Sequence, residues 1–266
     1  MNRVQVNNIC RQTPTDWNEL TKKQLLVISI LFMQGCTLFE FKAKALIAFL
    51  KIKGKLFRQI HPEDAYGLCQ TLDFLFKEVT LTRNLIPSIR IGLRKFYGPS
   101  NALKNCTFGE FTMVHSLYES YHENKDELIL DELVAILYRK RKLIWFICKY
   151  FSDSEDPRVR FRTRSLSIRK NVMSKAKPEV KYSVFLLLTG VLNSFPKLFP
   201  NVYRQVDDIS RENNNWTSLI ISLADGKTDD KSLETIMNSN LYNVFLGLDK
   251  KSREFFEFLE KRDRHE

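Results

Sequence analysis

Three threonines in this chain stand three residues ahead of a glutamine or glutamate, at Thr21-Lys-Lys-Gln24, Thr37-Leu-Phe-Glu40 and Thr107-Phe-Gly-Glu110. At that spacing the hydroxyl accepts from a first-turn amide while the longer side chain reaches back to the cap, so each box fixes where a helix begins. Gly35 and Gly54 supply the matching stops. Helices are therefore expected over about 21–34 and 38–53, with Lys51, Lys53 and Lys55 placed where a helix C-terminus favours cations.

Helical spacing continues along the chain. After Pro62, a residue suited to a first helical position, Ala65, Leu68, Cys69, Leu72, Leu75, Phe76 and Val79 recur at i, i+3, i+4, i+7. Pro87, Gly92 and Gly98-Pro99 interrupt residues 81–100, which predicts a broken helix and a turn. The third box opens a helix carrying Phe111, Val114, Tyr118 and Tyr121. Another follows from about Asp126 with Leu130, Leu133, Val134 and Leu137, its last turn holding Arg139 to Lys142, and a short aromatic segment, Leu143 to Phe151, packs on or continues it. Beyond Pro178, Val180, Val184, Leu187, Leu188, Val191 and Phe195 form a stripe that Pro196 and Pro200 end. Short helices are expected at Trp216 to Ala224 and Ser232 to Met237, and a last one from Leu241 to Leu259.

Nine Gly and eight Pro in 266 residues fall below the usual usage of about 7% and about 5%, which disfavours turn-rich β folds and Gly-cradled nucleotide sites. The expected fold is all-α, a multi-helix bundle in two parts. One part spans 1–151, the other 178–266, and 152–177 joins them as an extended basic connector.

Chemistry is sparse. The sequence has no G-x-G-x-x-G, no G-x-x-x-x-G-K-[ST], no H-E-x-x-H and no G-x-S-x-G. His115, Glu119 and His122 share a helix face, but a di-iron bundle needs a second E-x-x-H and two further glutamates, so a solvated polar edge is the better reading. No metal or cofactor is expected, and no enzyme activity. Asp207-Asp208 and Asp229-Asp230 read as caps beside turns. Trp17, Trp145 and Trp216 read as core aromatics. Five scattered cysteines without a C-x-x-C pair suit small core residues in a reducing compartment. The polar N-terminus indicates no export, and the longest apolar runs are half the ~20 residues a membrane span requires.

The strongest functional signal is charge. Arg158 to Lys177 contains eight basic residues and no acidic one, in a chain of formal net charge +11. They are Arg158, Arg160, Arg162, Arg164, Arg169, Lys170, Lys175 and Lys177. The first four alternate, so an extended chain puts them on one side. Three readings follow: a solvated linker, a nucleic-acid contact with strong salt dependence, or an arm whose arginine forks pair with carboxylates of a neighbouring subunit. Acceptors for the last are Asp126, Glu127, Asp131 and Glu132, or Asp207, Asp208 and Glu212.

The order LTKKQLL, TFGEFTMVHSLYESY, RVRFRTRSLSIRK, WTSLIISLADGKTDD and NLYNVFLGLDKKSREFFEFLEK resembles helical proteins from the structural regions of Bacteroidetes tailed phages, the crAss-like group among them. The resemblance implies a non-enzymatic neck or tail ring component, or a tail assembly chaperone absent from the finished particle. Its partners would be copies of itself and other virion proteins, in the host cytoplasm during assembly and then in the virion. A nucleic-acid-binding regulator is the competing class.

Overall fold

The computed structural model describes residues 2–6, 9–142, 156–204 and 229–262. The first capping box forms in both directions: the Gln24 amide donates to Thr21 Oγ1 (3.3 Å) and the Thr21 amide to Gln24 Oε1 (2.8 Å). Helix α1 (Lys22–Gln34) then runs to Gly35, which closes it at φ +63°. Helix α2 (Leu38–Leu50) starts from Thr37, but Lys51 takes the left-handed closing position at φ 54°. Gly54, expected as the stop, instead opens the one-turn helix α3 (Gly54–Phe57). Helix α4 (Pro62–Gln70) is shorter than its apolar stripe. The Thr71 and Leu72 amides bond three residues back, to Leu68 and Cys69, and the stripe continues as a 3₁₀ turn at Asp73–Phe76.

The expected broken helix between 81 and 100 is instead a β-hairpin. Strands β3 (Ser88–Ile91) and β4 (Arg94–Tyr97) pair antiparallel, with Ile89 opposite Phe96 and both side chains buried. The residues that break helical periodicity are those a hairpin uses: Pro87 precedes the first strand, and Gly92, at φ +55°, opens a two-residue turn with Leu93. Nearer the amino terminus lies a first hairpin, β1 (Asn2–Val6) paired antiparallel with β2 (Ile9–Thr13). The chain is mostly helical, with two small two-stranded sheets.

Six further helices complete the described fold: α5 (Phe108–Asn124), α6 (Glu127–Leu137), α7 (Leu166–Met173), α8 (Pro178–Leu198), α9 (Asp230–Asn238) and α10 (Leu241–Arg262). Helix α8 packs on α1 and α6, α7 on α6, and α9 and α10 on α5. Buried side chains from Trp17 to Leu248 form one hydrophobic cluster. Where α5 meets α8 and α10 the contact is aromatic, with Phe111, Phe195 and Phe245 at centroid distances of 4.8–5.4 Å. Trp17 lies in the core edge-on to Phe74. Trp145, Trp216, the aromatic segment 143–151 and the expected helix 216–224 lie outside the described residues.

Two features set how α8 is seated. A Cβ at Gly190 would stand 2.2 Å from the Leu81 carbonyl oxygen, so the helix lies directly on the backbone of the 79–83 strap. That strap is held by side chains in place of a partner strand: Asn193 Nδ2 donates to Val79 O, Asn18 Nδ2 donates to Thr80 O, and Asn18 Oδ1 accepts from the Thr82 and Arg83 amides. Polar pairs then lock α8 from two sides. Lys181 Nζ lies 2.6 Å from Asp131 of α6, both side chains buried, and the Ser183 and Ser29 hydroxyls meet at 2.7 Å between α8 and α1.

Candidate functional site

The connector is not an extended arm over the residues described. Residues 157–159 are extended and Arg158 bridges Arg141, but Thr163–Ser165 form a 3₁₀ turn and α7 follows, packed on α6. The alternating arginines therefore do not share a side. Arg158 is fully buried, whereas Arg160, Arg162 and Arg164 are exposed.

Arg158 is buried because it belongs to a four-residue ion cluster. Its Nε lies 2.8 Å from Asp156 Oδ1 and its Nη2 3.4 Å from Glu110 Oε2, while Nη1 and Nη2 donate to the carbonyls of Leu137 and Asn105. Arg139 completes the cluster, with Nη1 2.6 Å from Glu110 Oε1 and Nη2 3.4 Å from Asp156 Oδ2. Two cations meet two carboxylates, which satisfies the condition that buried charge be paired and hydrogen-bonded. This accounts for two departures from sequence expectation. Glu110, the third box's reaching side chain, turns inward to the cluster, so Thr107 caps the Glu110 amide without a return bond to match it. Arg139, expected in the last turn of α6, lies beyond that helix, where its backbone pairs with Tyr97 of β4.

Other members of the basic set are also engaged within the chain. Arg169 Nε donates to Ala135 O (3.0 Å) and Lys170 pairs with Glu132 (2.8 Å), while Lys181, beyond that set, occupies Asp131. Of the proposed acceptors, Asp131 and Glu132 thus serve internal pairs, and Asp126 caps α6 through the Leu128 amide. Asp207, Asp208 and Glu212 lie outside the described residues. Lys175 and Lys177 are exposed.

Cavities flank the 160–164 segment on both sides. One, of about 510 Å³, faces α5 and α9 and includes Glu110 and Glu234 in its lining; Glu234 stands 3.7 Å from Arg160. The other, of about 470 Å³, lies between β4, residues 139–140, the connector and α7. Its lining joins apolar Phe96, Val159, Ile168 and Val172, of which Val159 and Ile168 are exposed, to cationic Arg94, Arg139, Lys140, Arg160, Arg162 and Arg169, of which Arg139 is buried. No carboxylate is among the residues that line it. The Phe161 ring lies under the Arg139 and Arg169 guanidinium groups, at 6.0 and 5.3 Å.

No family model, curated protein or solved structure matches this chain. Among the described residues no group of three or more His, Cys, Asp and Glu side chains is arranged to hold a metal ion. No helix among them is long and apolar enough to cross a membrane. Cys106 is buried beside Arg158, and burial pushes its thiol up to about 12, so it stays protonated at neutral pH and is a poor nucleophile.

The histidine face resolves into separate surroundings. Glu119 is exposed and 3.5 Å from His115 Nδ1, while His122 stands edge-on to Tyr118 at 4.5 Å. Burial lowers the pKa of His115 against the raising effect of Glu119; burial and then Lys125 lower that of His122. For both, the unfolded chain takes up a proton more readily than the fold. Their contribution to stability is full above about 6.5 and is lost as the pH falls from there toward the lowered folded values. Thermal melts are expected to show a midpoint that drops below pH 6.5, with a shallower drop in His115→Gln; an unchanged slope in that variant would remove His115 from the effect.

Proposed function

We propose that the chain is a non-enzymatic assembly protein of a tailed-phage particle, a neck or tail ring component that binds copies of itself through its connector surface. The resemblance of its sequence to structural-region proteins supports the phage setting. The observation that carries the binding surface is the placement of Arg158: buried in its ion cluster, it anchors the connector so that Arg160, Arg162 and Arg164 are held outward on a folded base. A fixed cationic surface loses less side-chain and backbone freedom on docking than a mobile arm would. Heterologous contacts repeated between identical subunits close into a ring.

Light scattering on the purified protein tests this reading. The native chain is expected at a multiple of 31.4 kDa, and Arg160→Ser/Arg164→Ser at the single-chain mass with unchanged helical circular dichroism. A native chain that is already monomeric would refute the self-association. Mass spectrometry of purified particles separates the ring component, which is retained, from an assembly chaperone, which is not. Nucleic-acid binding is a second reading, favoured by the carboxylate-free lining of the groove between β4 and α7.

A further inference from the structure

We propose that the groove between β4 and α7 is a phosphate-binding site, taking the phosphodiester of a nucleic-acid strand or the phosphate of a free nucleotide. The inference is independent of the assembly reading. Six cations surround the groove, and only two have carboxylate partners among the described residues: Arg139 in the buried cluster and Arg160 with the exposed Glu234. Arg169 bonds to the Ala135 and Arg162 carbonyls and the Ser165 hydroxyl, none of which neutralises it. Its pKa is lowered, by burial and then by the nearby charge of Arg139. Cations gathered at this density repel one another until an anion arrives.

A second observation comes from Arg139 itself. Its side chain is 2% exposed, it lines the groove, and its Nε is buried without a hydrogen-bond partner. Leaving a buried N–H of a charged group unsatisfied is costly, so the groove wall at Arg139 keeps a donor that the chain's own described groups do not satisfy. Arginine donors suit phosphate, because the guanidinium fork matches two of its oxygens. The apolar lining extends the match beyond a bare anion. Phe96, Val159 and Ile168 offer contact to a sugar or base, and the volume of about 470 Å³ is in the range of ordinary ligand sites.

The test uses the full chain, a labelled oligothymidylate of about ten nucleotides, within the usual span of single-strand sites, thymidine monophosphate and inorganic phosphate. Arg94→Gln/Lys140→Gln removes two exposed rim cations that the self-association test leaves in place. A control, Lys250→Gln/Arg253→Gln on the exposed end of α10, removes the same charge elsewhere. The strand is expected to bind with log affinity falling about 0.7 per neutralised phosphate against log salt, and the rim variant to lose roughly tenfold or more. The control should stay near native. Competition by thymidine monophosphate or phosphate at comparable affinity assigns the site to a free phosphate ligand; binding of the strand alone assigns it to nucleic acid. Equal losses in rim and control variants, or no binding of any probe at low salt, would overturn the site.

Discussion

Arg158→Met is expected to destabilise the fold by about 3–5 kcal/mol, the usual cost of stranding one side of a buried ion pair. Arg160→Ser and Arg164→Ser should leave the denaturation midpoint almost unmoved, as exposed substitutions do. The contrast follows from position alone. Removing the Arg158 guanidinium leaves Glu110 and Asp156 with Arg139 as their one cation among the described residues and takes the donors from the carbonyls of Leu137 and Asn105. The double variant Arg158→Met/Glu110→Gln should recover part of the loss, because the mismatch of charge is then smaller. Equal midpoints for the Arg158 and Arg160 variants in chemical denaturation would show that the cluster contributes nothing to the fold.

A comparable loss, again about 3–5 kcal/mol, is expected for Lys181→Met, which strands Asp131 between α6 and α8. Lys181→Met/Asp131→Leu should regain most of it, since apolar side chains of similar size replace such pairs at little net cost. A double-mutant cycle measures the coupling directly. Additive losses would mean that the two charges do not see one another, despite their 2.6 Å separation.

Helix starts were legible because caps are local. Thr21 with Gln24, Asp126 and Pro178 each act within one turn, and their helices begin where those residues stand. Gly54 misled because a glycine after a helix stops it only if the chain needs a left-handed residue there, and Lys51 had already taken that conformation. The hairpin at 88–97 was hidden because Pro87 and Gly92 mark a break in helical spacing without saying what replaces it. The candidate site was less legible still. Alternation of Arg158, Arg160, Arg162 and Arg164 described an ideal strand, while the chain turns into a 3₁₀ helix at Thr163. Glu110 carried no sign of its second role, since its partners Arg139 and Arg158 are distant in sequence. The rim joins residues near 94, 140 and 160–169, an assembly that the Tyr97–Arg139 and Arg141–Arg158 pairings bring together.

The bed on which Gly190 rests has a consequence for the order in which the chain can mature on the ribosome. Leu81 emerges 109 residues before Gly190, an interval of roughly 5–20 s at ordinary synthesis rates. Asn18 can secure Thr80, Thr82 and Arg83 at once, but the Val79 carbonyl and the apolar side of α1 lack α8 until it has been made. Until then the side of α1 and the Val79 carbonyl that α8 covers are without that partner. A chain ending before Pro178 lacks α8 altogether and so leaves that apolar side of α1 uncovered.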